Sequence, residues 1–381
     1  MPLDHFCSGE HVQFNYEISY VDADNQETLW GRCVAVAGLF REPMPPTREV
    51  LTLVGCAPTG MLAAGTRRLG ELCLTVSDDV RPLQWWGLSN AVVLARRPHV
   101  ADAALVDIVL EVVVSAPDSG VHELPESPRF ELTGGWPESS YGTCLSVNGL
   151  YDERPEPPEI PITLVGCRPE APMLSALTEG DDEYLILGAL DREGRPMASR
   201  SFYWNVQQTR PSVLGGTLVD IVLGNGVDEP VPPAARETWE DWYERGMPRT
   251  PGTWATYSPE GRKEWLELGA PGRFPRWKSG EDRKGGTYHL DGRYVRDEAG
   301  LHCAMGEALM GPGGYFGRDW YSFKAYLEGG YGVGLPFTLV WHESVVAREA
   351  LAGTANPENG LSYFEEILDL MRRWGATVVL G

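Results

Sequence analysis

Short apolar and β-branched runs, broken by Asp, Gly and Pro, fill the first 228 positions. Glu71-Leu72-Cys73-Leu74-Thr75-Val76 leads into Ser77-Asp78-Asp79, and Glu183-Tyr184-Leu185-Ile186-Leu187-Gly188 is followed by Asp191-Arg192-Glu193-Gly194. β-type runs bounded by turn residues predict hairpins. The Pro-rich joints at 42–46 and 153–161 are excluded from central strands, because proline cannot donate to a ladder. This half is expected to be mainly antiparallel β, with a short helix after Cys56 or Cys167.

The pattern occurs twice. Trp30-Gly31-Arg32-Cys33-Val34-Ala35-Val36-Ala37-Gly38-Leu39-Phe40 returns as Tyr141-Gly142-Thr143-Cys144-Leu145-Ser146-Val147-Asn148-Gly149-Leu150-Tyr151. Thr52-Leu53-Val54-Gly55-Cys56 returns, at the same spacing, as Thr163-Leu164-Val165-Gly166-Cys167. Leu105-Val106-Asp107-Ile108-Val109-Leu110 returns as Leu218-Val219-Asp220-Ile221-Val222-Leu223, two residues further on. A period this long exceeds any solenoid or propeller repeat and reads as tandem duplication of a whole domain. The copies are placed at 1–117 and 128–228. The repeated cysteines read as small buried hydrophobes, since no His, Asp or Glu repeats beside them in a ligand or nucleophile–base pattern. Asp107 and Asp220, each alone in an apolar strand, are expected on the solvent side of the alternation.

Residues 229–284 form a Trp-rich, partly helical linker. Trp239, Trp242, Trp254, Trp265 and Trp277 argue against a free tether, and helices are expected near 236–245 and 259–268. From 285 the period changes again. Thr287-Tyr288-His289-Leu290 is a short strand ended by Asp291-Gly292. Asp297 takes an N-cap position ahead of Leu301, Met305, Ala308 and Leu309, which fall at helical spacing. A second helix is expected over 319–327. Phe337-Thr338-Leu339-Val340-Trp341 reads as a continuously buried strand, and a short helix follows near 344–351. Ser362-Tyr363-Phe364-Glu365 is a capping box opening a helix that closes at Gly375, before the strand Thr377-Val378-Val379-Leu380. Three strands separated by helices predict an α/β domain with a three-stranded parallel sheet at 285–381.

These residues resemble the barstar family of ribonuclease inhibitors over about a quarter of the chain. The match runs through Leu290-Asp291-Gly292, Leu301-His302, Tyr315-Phe316-Gly317-Arg318-Asp319-Trp320, Leu327-Glu328-Gly329, 336–341, Gly375 and 377–380. The resemblance implies an inhibitor or immunity-type protein. The same resemblance implies that the loop and second helix plug a basic nuclease site, with Tyr315, Gly317 and Asp319 in the family's binding loop. The partner-binding surface of this chain is expected to comprise Tyr315, Gly317, Asp319, Trp320, Tyr321, Lys324 and Glu328. The family's acidic contact positions fall here on Tyr321, Ala325 and a site near Leu370, with Lys324 in place of an aromatic. A non-inhibitory interaction protein on the same scaffold is the alternative.

Charge and chemistry refine this reading. Thirty-two basic residues against 54 acidic ones give a net charge of −22, which disfavours nucleic acid and anionic membranes and favours basic protein partners. Residues 287–381 carry 12 acidic and 7 basic side chains, a milder −5. No Cys-x-x-Cys pair, phosphate loop or nucleophile–base motif occurs, so no cofactor, metal or enzymatic activity is expected. With no secretory leader and no membrane-spanning apolar run, a cytoplasmic protein with reduced thiols is expected.

Overall fold

The computed structural model describes residues 12–381 apart from 23, 25, 43, 79–80, 116–127, 135–138, 155–159, 180–182, 225, 271–281 and 354–359. Cys7, Asp79, Trp277, much of the joint at 153–161 and the start of the charged tract at 278–286 lie outside the described residues.

In chain order come β1 (Tyr16–Val21), β2 (Glu27–Cys33), β3 (Ala35–Ala37), β4 (Glu49–Pro58), α1 (Gly60–Ala63), β5 (Arg68–Ser77), β6 (Pro82–Pro98) and β7 (Val106–Ser115). The order then recurs as β8 (Arg129–Gly134), β9 (Ser139–Cys144), β10 (Ser146–Asn148), β11 (Ile162–Pro169), α2 (Ala171–Glu179), β12 (Tyr184–Leu190), β13 (Pro196–Tyr203), β14 (Val206–Pro211) and β15 (Val219–Leu223). Helices α3 (Arg236–Arg245) and α4 (Pro259–Gly269) lead to β16 (Thr287–Asp291), α5 (Glu298–Met310), α6 (Trp320–Leu327), β17 (Thr338–His342), α7 (Ser344–Ala350), α8 (Tyr363–Arg373) and β18 (Thr377–Leu380).

Two compact units result. One holds β4 to β10. Its strands run β10-β4-β7-β6-β5-β8-β9, and β9 returns to β4, so six strands close an antiparallel barrel. The other unit holds β1 to β3 and nearly everything from β11 onward. Its β-part runs β13-β12-β1-β2-β11-β15-β14, with β3 also on β11. Here β13 and β14, separated only by Trp204 and Asn205, stand where the other barrel has the single long strand β6.

The matched motifs are distributed reciprocally. The β1–β2 hairpin, with Trp30 and Cys33, pairs with β12 and β11. The β8–β9 hairpin, with Tyr141 and Cys144, pairs with β5 and β4. Equivalent contacts recur in each barrel. Val34 N donates to Val165 O and Leu145 N to Val54 O, both at 3.0 Å; Glu170 N donates to Trp30 O and Thr59 N to Tyr141 O, both at 2.8 Å. Cys56 Sγ lies 2.8 Å from Cys144 Sγ, and Cys33 meets Cys167 in the same way. All four thiols are free and buried, as small apolar residues would be.

Asp107 and Asp220 overturn the expectation of solvent exposure, for both are buried. The register of β4 on β7 shifts between Leu53 and Cys56, and that of β11 on β15 between Leu164 and Cys167. Gly55 (φ 60°) and Gly166 (φ 64°) turn left-handed in these bulges. The freed N–H of Gly55 donates to Asp107 Oδ1 at 2.9 Å, and that of Gly166 to Asp220 Oδ1 at 3.0 Å. Arg97 and Arg210 cover the outer oxygens at 3.2 and 3.5 Å. The carboxylates thus satisfy a backbone group that the ladder leaves over.

The described part of the Trp-rich segment, up to 270, is folded. Trp239, Trp242, Trp254 and Trp265 are buried, and Trp242 meets Trp265 edge-on at 5.3 Å. Ser258 caps α4 and Pro259 fills its first turn. Glu264 on α4 pairs with Arg200 on β13 at 2.6 Å, both buried, and accepts from Trp239 Nε1 at 2.8 Å. One continuous apolar core joins this barrel, the Trp helices and the C-terminal α/β region.

That region is a parallel sheet in the order β16-β17-β18. Asp297, Asp319 and Ser362 cap α5, α6 and α8, the last two as capping boxes. The expected continuous burial of β17 does not hold. Leu339 and Trp341 are buried, whereas Thr338 and Val340 are half-buried and His342 is exposed, because one face of this sheet is open to water. No helix among the described residues is long and apolar enough to cross a membrane.

Candidate protein-binding site

The segment between α5 and α6 and the helix that follows form the site expected from sequence. Gly317 has φ 87°, and a Cβ there would stand 2.5 Å from the Phe323 backbone, so only glycine fits. Asp319 then starts α6 by accepting from Ser322 N at 2.7 Å while Ser322 Oγ returns to the Asp319 backbone. Beneath α6, Phe316 lies edge-on to Phe323 at 5.7 Å, and Tyr315 lies edge-on to Tyr326 at 5.2 Å. His302 of α5 is wholly buried under Phe323, with Nε2 2.7 Å from Tyr363 Oη. Burial lowers its pKa to about 4, because a charged imidazolium there would be stripped of water.

The expected residues fall into two groups. Tyr315 and Gly317 are buried, and burial pushes the Tyr315 phenol up. The α3–α4 segment stands against this loop. Arg318 pairs with Glu267 of α4, and a Cβ on Gly269 would lie 3.2 Å from Gly313 O. Arg262 pairs with Asp297 at the start of α5, and Glu307 accepts from Gly252 N at 2.8 Å. The second group lies along α6. Asp319 and Glu328 are exposed at its two ends, and Trp320 is half-buried. Tyr321 is 60% exposed and edge-on to Trp320 at 5.3 Å. Lys324 pairs with Glu328 at 3.3 Å and sits 5.8 Å from the Trp374 ring centroid.

Trp374, 38% exposed just past α8, was not anticipated. Its one sequence signal is a tryptophan directly before the helix-stopping Gly375. Leu370, by contrast, is buried in the core of α8, and no side chain at that position could reach a partner without leaving the core. Among the described residues, no three His, Cys, Asp or Glu side chains converge as a metal cage. The α6 strip offers stacking area, one cation and flanking carboxylates, which suits protein recognition.

No curated protein and no solved structure matches the chain. Residues 286–379 match the family model described as Barstar (barnase inhibitor), so the C-terminal region, with its three parallel strands and capped helices, is a barstar-like domain.

Proposed function

We propose that this protein is an intracellular inhibitor or immunity-type protein that binds a ribonuclease or another toxin through the outer side of α6. The observation that carries the proposal is the strip of exposed Tyr321 and Trp374 with half-buried Trp320 and Lys324, on a domain matching an inhibitor family. The reading is of a binding protein and not an enzyme. Tyr315 and Gly317 support the strip from below, while Asp319 and Glu328 frame it with negative charge. Surface plasmon resonance of the full chain against a basic ribonuclease tests the inhibitor reading, together with rescue of cells from that ribonuclease. Tyr321→Ala should weaken a genuine complex by about 2 kcal/mol or more, the threshold of an interface hot spot. Unchanged affinity would remove α6 from the interface.

A second reading, a non-inhibitory interaction protein on the same scaffold, is favoured by the lost acidic contacts. Tyr321 and Ala325 stand at two of those positions, and Leu370 is buried at the third. Under this reading the ribonuclease binds weakly, and Tyr321→Asp with Ala325→Asp slows its dissociation more than it speeds association. We also propose that 1–117 and 128–228 are two copies of one domain. Superposing the barrels should bring Cys33 onto Cys144 and Cys56 onto Cys167.

A further inference from the structure

His289 and His342 stand on adjacent parallel strands of the C-terminal sheet. Each alternates with a buried core residue, Leu290 and Trp341 respectively, so both imidazoles project from the open face. Their rings lie nearly parallel, 11° apart with centroids 5.3 Å apart. Nδ1 of His289 and Nε2 of His342 share a hydrogen bond at 3.0 Å, whose proton an ion bound to both nitrogens would displace to solvent or to the far ring nitrogen. Two metal–imidazole bonds of about 2.1 Å place their nitrogens about 3.4 Å apart at a tetrahedral angle and about 3.0 Å apart at a right angle. The observed separation matches the right angle, the one a tetragonal ion takes up. Two nitrogens already at chelating distance lose little freedom on taking up an ion.

We infer that His289 and His342 form a two-imidazole chelate for a borderline divalent transition ion: Cu²⁺ foremost, then Ni²⁺ and Zn²⁺. Imidazole donors select these ions, copper most strongly, whereas Mg²⁺ and Ca²⁺ require oxygen ligands. Asp291, opposite His342 in the register, is not a third ligand. Its carboxylate is held by the Arg293 guanidinium at 2.6–3.1 Å. Water completes the coordination from the open face of the sheet, where both imidazoles are exposed. The net charge of −22 raises the local concentration of cations. Because each strand supplies one ligand, the ion ties β16 to β17 and stabilises the sheet with the logarithm of free metal over its Kd.

The test uses the full chain, stripped with a chelator and titrated with Cu²⁺, then Zn²⁺, by calorimetry, with electron paramagnetic resonance of the copper form. The same titrations are run on His289→Gln and His342→Gln, both exposed substitutions. Since other histidines bind copper weakly, the readout is the difference between variants. The wild type should hold one Cu²⁺ with nitrogen hyperfine structure, and each variant alone should lose at least tenfold in affinity. Equal binding by all three proteins, loss in only one variant, or no binding by the wild type at 100-fold excess of metal would each overturn the assignment.

Discussion

Removing Arg200 should leave a carboxylate stranded between α4 and β13. The Arg200 guanidinium donates to Glu264 at 2.6 Å, to Glu229 O at 2.9 Å and to Ser199 O at 3.0 Å, with both side chains of the ion pair buried. In Arg200→Ala, Glu264 keeps only the Trp239 indole as a donor. Breaking a buried pair from one side costs about 3–5 kcal/mol, because the remaining charge is neither hydrated nor compensated. With a urea dependence of about 3 kcal/mol per molar, the unfolding midpoint should fall by about 1–1.7 M. Burial already raises the Glu264 carboxyl above its ordinary range in spite of Arg200, and losing the arginine raises it further. A carboxyl raised on folding takes up a proton on folding, so the deficit should be greatest near pH 8 and shrink as pH falls. Replacing both partners, Arg200→Met with Glu264→Leu, should recover most of the loss. Urea melts followed by tryptophan fluorescence at pH 8 and pH 5 decide. A midpoint within 0.3 M of wild type at pH 8, on the order of 1 kcal/mol by the same slope, would refute the claim that this pair is desolvated.

Three further outcomes are expected. His302 is lowered to about 4 by burial, so folding is fully favoured above pH 6.5 and loses up to about 3 kcal/mol as pH falls from 6.5 to 4; His302→Gln should flatten that slope in denaturant melts. Asp220→Ala leaves the buried Gly166 N–H without its acceptor, which should destabilise that barrel by about 1–3 kcal/mol, read as a lower urea midpoint. Burial pushes the Cys33 and Cys303 thiols up, and the Cys56 thiol together with burial does so for Cys144; all three should resist a thiol reagent in the folded chain and react once it is unfolded.

The C-terminal region was legible because its signals are local. Asp297 and Ser362 each announce a helix by capping it within three residues, and Gly311 and Gly375 follow the ends of α5 and α8. What stayed hidden depends on partners distant in sequence. Alternation in 105–110 suits an outward Asp107, and only the bulge at Gly55, some fifty residues earlier, turns it to a buried acceptor. In the candidate site, Tyr321 was readable as a helix-face residue. That Tyr315 lies beneath α6, and that Glu267 pairs with Arg318, depends on how α4 packs, on which the spacing of residues in 311–328 is silent.

The reciprocal placement of the two hairpins sets a timetable for synthesis. The β1–β2 hairpin leaves the ribosome before any strand of the other barrel, yet its neighbours β11 and β12 follow only after every strand of that barrel has been made. The barrel that starts second is therefore complete first, at β10. The leading hairpin must wait until β12, roughly 150 residues after β3, or on the order of 10–30 s at about 5–20 residues per second. For that interval it carries Tyr16, Ile18 and Trp30, all buried in the finished protein, on an unpaired edge. A ribosome stalled between β10 and β11 would present one finished barrel and one exposed, aggregation-prone hairpin.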